Sequence, residues 1–277
     1  MMNLKEAVEY AATTLTSISA SAKLDAQMLI CHACNIEQTK IITYPEQTLN
    51  EQQLELFTSA LNRRKNGEPL AYITGRKEFW SLEFTVSERV LIPRPETELL
   101  IELTLNEVSN TKAPRILDLG TGSGAISISV AKEREDAKIV ATDISSQALE
   151  IAKKNAEKHN AEITFIKSSW YENLAEEIFD AIICNPPYIA KDDPDLDKHV
   201  YQHEPGKALI SDENGLKDLE LVIAGAKEYL SSTGYLAVEH GFQQAKKVQQ
   251  LFDQHGFMSI QTHKDLTGLD RATTGHT

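Results

Sequence analysis

The 277-residue chain has only three cysteines, Cys31, Cys34 and Cys184. So small and odd a number does not make a disulfide framework and suits reduced thiols in a cytosolic protein. Cys31-His-Ala-Cys34 lies in a helical run without a second pair at zinc spacing, so these are core or surface thiols and no metal is expected. No stretch approaches the roughly 18 uninterrupted apolar residues that a membrane-spanning helix requires. The first residues, MMNLKEAVEY, carry Lys5, Glu6 and Glu9 where a signal peptide would be apolar, so a cytoplasmic protein with no membrane association is expected. Thirteen glycines and nine prolines fall well short of the levels that mark collagen or disorder. Positive charge is also scarce: of a net charge of −13, residues 96–277 carry −12, with 18 Lys and Arg against 30 Asp and Glu. Nonspecific nucleic-acid binding is mainly phosphate neutralisation, so direct nucleic-acid binding is not expected.

The length allows about two domains at roughly 150 residues each. From Leu4 to about Arg64, apolar residues recur at three and four spacing in LKEAVEYAATTL, LDAQMLICHAC and LELFTSALNRR, which predicts a small helical domain over residues 1–66. Residues 67–95 mix aromatics, β-branched residues, Gly and Pro, as expected of a linker carrying a β-hairpin. The positive cluster Arg63, Arg64, Lys65, Arg76 and Lys77 reads as a solvated face ahead of a docking surface. Over 96–277 short apolar runs alternate with helical patterns. That alternation predicts an α/β fold, a mostly parallel sheet with helices on both faces. The last stretch, SIQTHKDLTGLDRATTGH, has two strand patterns with no helix between them, which places an antiparallel strand at the end of the sheet.

Ile116-Leu-Asp-Leu-Gly120-Thr121-Gly122-Ser123-Gly124-Ala-Ile126 stands directly after a predicted strand and before a helix. Ligands of open α/β sheets bind at the carboxyl ends of the strands. Glycine there permits unusual dihedrals and lets the backbone approach a ligand closely. Asp143 lies 23 positions beyond Gly120, at the end of the next strand, where an acid accepts hydrogen bonds from both ribose hydroxyls. Asp118 orients the loop or meets a cationic part of the ligand. The G-x-G-x-G spacing shifts the expected adenosine-containing ligand from a dinucleotide toward S-adenosylmethionine.

Farther along stands Asn185-Pro186-Pro187-Tyr188, again after a strand. Two prolines fix φ and lack N–H groups, so the segment cannot continue a ladder. Asn185 offers a side-chain carbonyl, Pro186 a backbone one and Tyr188 a flat face, which together suit a planar group presenting an NH2. The nitrogen of such a group is a poor nucleophile. Two acceptors gripping its N–H bonds would orient it and stabilise the charge that develops as it attacks a sulfonium methyl.

With these residues in place, the chain resembles the HemK-type protein-(glutamine-N5) methyltransferases that modify peptide-chain release factors. The likeness rests on EPLAYITGRKEFW (68–80), LIPRPETE (91–98), DLGTGSGAI (118–126), NPPYI (185–189), HEP (203–205) and DLTGLDR (265–271). It implies a class I methyltransferase-like Rossmann sheet, S-adenosyl-L-methionine as methyl donor and S-adenosyl-L-homocysteine as product. It also implies that Gly120, Thr121, Gly122, Ser123 and Gly124 line the donor site, that Asp143 holds the ribose and that Trp170 packs near the adenine. Asn185, Pro186, Pro187 and Tyr188 would bind the substrate glutamine, the last residue of a Gly-Gly-Gln loop, with Asn185 also close to the donor and Asn185, Pro186 and Tyr188 catalytic. The helical domain and linker would grip the release factor, and a monomer is expected. Transfer to an exocyclic amine of adenine or cytosine in DNA or RNA is the alternative, since that amine is equally planar; it needs base flipping and a basic groove, which the acidity of 96–277 opposes. Residues 189–213 are expected to form a polar flap over the cleft, with His203 and Glu204 in a lid or an ordinary loop salt bridge.

Overall fold

The computed structural model describes residues 2–193, 196 and 198–277. It separates into two compact units, Met1–Arg76 with Lys198–His203, and Lys77–Asp197 with Glu204–Thr277.

The first unit is helical: α1 (Leu4–Leu15), α2 (Ala22–Cys34), α3 (Gln38–Thr43), α4 (Glu51–Lys65) and α5 (Leu70–Thr74). Two of these helices begin with reciprocal caps. Asn3 Oδ1 accepts the Glu6 N–H at 2.9 Å while Glu6 accepts the Asn3 N–H at 3.0 Å, and Asn50 and Gln53 do the same ahead of α4. Leu4, Ala7, Val8, Ala11 and Leu15 put one apolar stripe of α1 against Ala26, Leu29 and Ile30 of α2 and Phe57, Ala60 and Leu61 of α4. Two of the clustered arginines are engaged inside this unit. Arg64 donates to the buried Asp25 carboxylate at 2.8 Å, and Arg63 pairs with Glu68. The expected linker is not uniformly extended, because Leu70–Thr74 is helical.

β1 (Arg76–Phe79), which starts at the last residue of the first unit's leading segment, and β2 (Leu82–Thr85) form a two-stranded hairpin that opens the second unit. Its two-residue turn, Trp80-Ser81, has φ of +50° and +56°, the left-handed geometry that matches strand twist but usually recruits Asn or Gly. Compensation comes from side chains: the Trp80 backbone N–H donates to Glu98 and its indole N–H to Glu133, both at 2.8 Å. After α6 (Glu98–Glu107) come β3 (Arg115–Leu119), α7 (Ala125–Glu133), β4 (Lys138–Asp143), α8 (Ser146–His159), β5 (Ile163–Lys167) and β6 (Phe179–Cys184). Helix α9 (Lys198–His203) packs with the first unit. The chain continues through α10 (Asp212–Gly215), α11 (Lys217–Tyr229), β7 (Leu230–Glu239), α12 (Ala245–Gln254), β8 (Met258–Lys264) and β9 (Asp270–His276).

The sheet order is β5-β4-β3-β6-β7-β9-β8, parallel through β7, with β9 antiparallel to both its neighbours. This is the expected α/β sheet with one correction: the antiparallel strand lies one position in from the edge, and β8 takes the edge. β9, buried over Ala272–Gly275, takes the inner place and the largely exposed β8 the edge. The two are antiparallel because they are joined by the turn at 265–269, too short for a crossover. It is drawn tight by Asp265 Oδ1, which accepts from the backbone N–H groups of Thr267 and Leu269 at 2.9 and 3.1 Å. Leu117, Leu119, Ile182, Cys184, Leu236 and Val238 form one face of the sheet's core, closed by Leu219, Val222 and Ile223 of α11 and Val248 and Phe252 of α12. The strand order reverses between β3 and β6, where a ligand crevice opens in such sheets.

Candidate active site

Register brings the motifs together. Leu119, the last residue of β3, pairs with Thr142 on one side and Cys184 on the other, and Cys184 pairs with Val238. Gly120, Asp143, Asn185 and Glu239 therefore leave four adjacent strands at the same level.

The glycine loop is shaped from beneath by Asp118, which is buried. Its Oδ2 accepts the Thr121 hydroxyl at 2.6 Å and the Ser127 N–H at 3.2 Å, while the Thr121 N–H donates to the Thr142 carbonyl at 2.8 Å. Desolvation pushes the Asp118 carboxyl up to about 6, against the pull of those hydroxyls. Orienting the loop is thus the role that the contacts of Asp118 support. Its Oδ1 is buried with no partner among the described residues.

Gly120, Gly122 and Gly124 all have positive φ. A Cβ on Gly122 would meet nothing within 4 Å, whereas one on Gly120 would lie 3.5 Å from the Trp170 ring. Gly120 and Trp170 are therefore brought together. At Gly124 the added carbon would fall 2.8 Å from Ile128, so this glycine serves the packing of α7. Ser123 is buried, and its carbonyl accepts from Asn155 of α8 at 2.9 Å; the same Asn155 exchanges hydrogen bonds with the backbone of Thr85 at the end of the hairpin.

Asp143 receives the Gly122 N–H on Oδ2 at 2.9 Å and the Ser145 N–H on Oδ1 at 2.8 Å. Burial raises its pKa against these two donors. A carboxylate has about four acceptor positions, so two remain for vicinal hydroxyls. An open glycine loop, an aromatic wall at Trp170 and a carboxylate with spare acceptors fit an adenosine ligand such as S-adenosylmethionine.

On the other side of the switch point, Asn185 Nδ2 donates to Thr97 Oγ1 at 3.0 Å. With its NH2 so engaged, the Asn185 carbonyl oxygen is the end left for a ligand. Pro186 is buried and Pro187 half-buried. Tyr188 donates its phenol to Glu239 Oε1 at 3.0 Å, while its backbone carbonyl accepts from Gln244 Nε2 at 2.9 Å. The same carbonyl is crowded by the turn of α10, where Glu213, Asn214 and Gly215 have φ of 56°, 58° and 81° in succession; a Cβ on Gly215 would stand 2.1 Å from that oxygen. Glu239 is buried at the end of β7. Burial raises its pKa, opposed by the Thr97 and Tyr188 hydroxyls and the charge of Arg271. Burial and the Glu239 charge push the Tyr188 phenol far above its ordinary range, so it stays protonated.

Thr97, Gly215, Glu239, Gln244 and Arg271 had no assigned place in the site from sequence, nor did Asn155 in the loop. Thr97 and Arg271 lie in segments that carried the family likeness, which was the available signal; Gly215, Glu239 and Gln244 had none. The expected flap is not a bare loop: Ile189 bridges Ile210, its N–H bonding Leu209 O at 3.0 Å, and Glu204 pairs with Arg94 while accepting the Ile92 N–H at 3.2 Å. Pro194, Asp195 and Asp197 of that segment lie outside the described residues. Cys184 is buried and donates its thiol to Leu119 O at 3.2 Å; desolvation holds its pKa well above the ordinary value. His199 and His203 stand four apart on α9, but among the described residues no group of three His, Cys, Asp or Glu side chains could hold a metal. Among the described residues no helix is long and apolar enough to cross a membrane.

The fold and the two corners together define a Rossmann-type methyltransferase. A methyltransferase from Pyrococcus furiosus superposes with a TM-score of 0.55 at 16% identity, covering 79% of this chain and 98% of that one. Residues 95–203 match the family model "Methyltransferase small domain" and residues 6–75 match "PrmC N-terminal domain". The release factor glutamine methyltransferase of Coxiella burnetii is 41% identical over 98% of each chain, and that of Aliivibrio fischeri is 40% identical over 93% of this chain and 91% of its own. The chain belongs to the release factor glutamine methyltransferase family.

Proposed function

We propose that this protein transfers a methyl group from S-adenosylmethionine to the side-chain amide nitrogen of the glutamine in the Gly-Gly-Gln loop of a peptide-chain release factor. The observation that carries this reading is the juxtaposition, in a chain of this family, of the glycine loop after β3 and the Asn-Pro-Pro-Tyr corner after β6, on paired strands.

When bound, the donor supplies an electrophilic methyl on a sulfonium, whose leaving group is a neutral thioether. Gly120, Thr121, Gly122, Ser123 and Gly124 form the loop over which it lies, Asp143 holds its ribose and Trp170 walls the adenine side. Asn185 Oδ1 and the Pro186 carbonyl accept the two N–H bonds of the substrate amide, and Pro187 and Tyr188 flank it. As the nitrogen takes the methyl it becomes positively charged, and these two dipoles stabilise that charge in place. The proton lost afterwards is acidic and passes to solvent, so no strong base is required. Glutamate is disfavoured because a carboxylate oxygen would face two acceptors with no proton to share, each unpaired acceptor costing about 1–3 kcal/mol. The helical unit, with the hairpin segment that follows it, supports a role in gripping the protein substrate, and the monomer is the working form.

Incubation with S-adenosylmethionine and a purified release factor, followed by peptide mass mapping, should place one added methyl on the Gly-Gly-Gln glutamine. Transfer to DNA or RNA instead of protein would refute the reading.

A further inference from the structure

A side-chain amide is nearly symmetrical in shape but opposite in hydrogen-bonding sense at its two ends, so an asparagine that must present oxygen to a ligand needs something to hold its nitrogen. Here that partner is Thr97, 5% exposed, whose Oγ1 lies 3.0 Å from Asn185 Nδ2. Thr97 is itself fixed. It ends the turn Pro95–Thr97, its N–H bonds Arg94 O at 3.1 Å, and Arg94 is paired with the buried Glu204.

A hydroxyl can accept or donate, and its neighbours decide which. Glu239 leaves β7 beside Asn185, with Tyr188 donating to its Oε1, while its Oε2 is buried with no hydrogen-bond partner among the described residues. An amide NH2 only donates, so at 3.0 Å from Asn185 Nδ2 the Thr97 oxygen is the acceptor.

We infer that Thr97 is a positioning and specificity-determining residue: buried, fixed by its turn and accepting from Asn185 Nδ2, it turns the Asn185 carbonyl toward the substrate and so selects an amide NH2 over a carboxylate. This rests on the methyl-acceptor reading above. Without the Thr97 oxygen the Asn185 amide is free to reverse, and its NH2 end then welcomes a carboxylate.

The test compares wild type with Thr97→Val, Thr97→Ala and Thr97→Ser. Each is assayed for kcat and KM on a release factor and for inhibition by the same factor carrying glutamate at the target position. For Thr97→Val, kcat should fall about 10-fold, the worth of one lost hydrogen bond to a polar group, with KM within about 3-fold. Inhibition by the glutamate form, relative to KM, should tighten about 10-fold. Thr97→Ser should stay within about 3-fold of wild type in all three. Thr97→Ala, which also removes the oxygen, should shift the inhibition ratio in the same direction, which keeps the test open if the valine variant folds poorly. An unmoved ratio in both variants, or a serine variant as impaired as valine, overturns the inference while leaving the function intact. Failure of the wild-type protein to methylate a release factor overturns both.

Discussion

Around the glycine loop, the residues that bond Asp118, Thr121 and Gly122 lie 3, 9 and 21 positions away in the chain. Around the proline corner, the partners of Asn185 and Tyr188 lie 88, 51 and 56 positions away. One corner is a strand, a turn and a helix that nearly specify themselves; the other is a short rigid segment braced by α10, α12, the Pro95–Thr97 turn and the end of β7. Disturbing the first should act mainly on donor binding. Disturbing the second should act on turnover.

The sharpest separation comes from Asn185→Ala. Turnover should fall about 100- to 1,000-fold, as when one preorganised polar group is removed from a reacting centre, while donor affinity by calorimetry stays within about 3-fold. Equal losses in both would erase the distinction between the corners. Next is Gly215→Ala, which places a carbon against the Tyr188 carbonyl at a left-handed position. Destabilisation of about 2–4 kcal/mol in urea melts is expected from the overlap and the backbone strain together. The surviving folded fraction should turn over slowly with unchanged donor affinity.

Asp118→Asn tests the loop through pH. The folded pKa of Asp118 is raised, so its contribution to stability is complete below about 4, the unfolded value, and is lost as pH rises through about 6. Wild type should therefore lose stability relative to Asp118→Asn between pH 4 and 7, by about 2–3 kcal/mol, with the two curves parallel above that window. A constant gap across pH 4–7 would count against a buried, raised Asp118. The smallest effect is expected of Gly122→Ala. Its Cβ meets no neighbour, so about 1 kcal/mol of left-handed strain is the whole stability cost, and weakened donor binding with near-normal folding is the expected signature.

The same contrast in range explains what could be read without coordinates. The glycine loop, Asp143 at the next strand end and the α/β alternation are local patterns. Thr97, Gly215 and Gln244 carry no pattern of their own: each matters because register and turn geometry bring it against Asn185 or Tyr188. The helix at Leu70–Thr74 was hidden by its aromatic and β-branched composition, and Trp80-Ser81 makes a hairpin turn without the residues that usually announce one. Position of the antiparallel strand was likewise undecided by hydrophobic pattern, since β8 and β9 would satisfy it in either order.

Strand β9 has a bearing on how the molecule is made. It is inserted between β7 and β8, its Arg271 carbonyl accepts the His240 N–H at 2.9 Å, and Ala272 is the register partner of Glu239. During synthesis both ligand motifs emerge long before residue 270, yet until that residue follows them β7 presents an unpaired edge, the kind of surface that recruits other strands. A nascent chain halted before Asp270 thus carries both motifs beside an open strand edge, and release of the last few residues is what closes it.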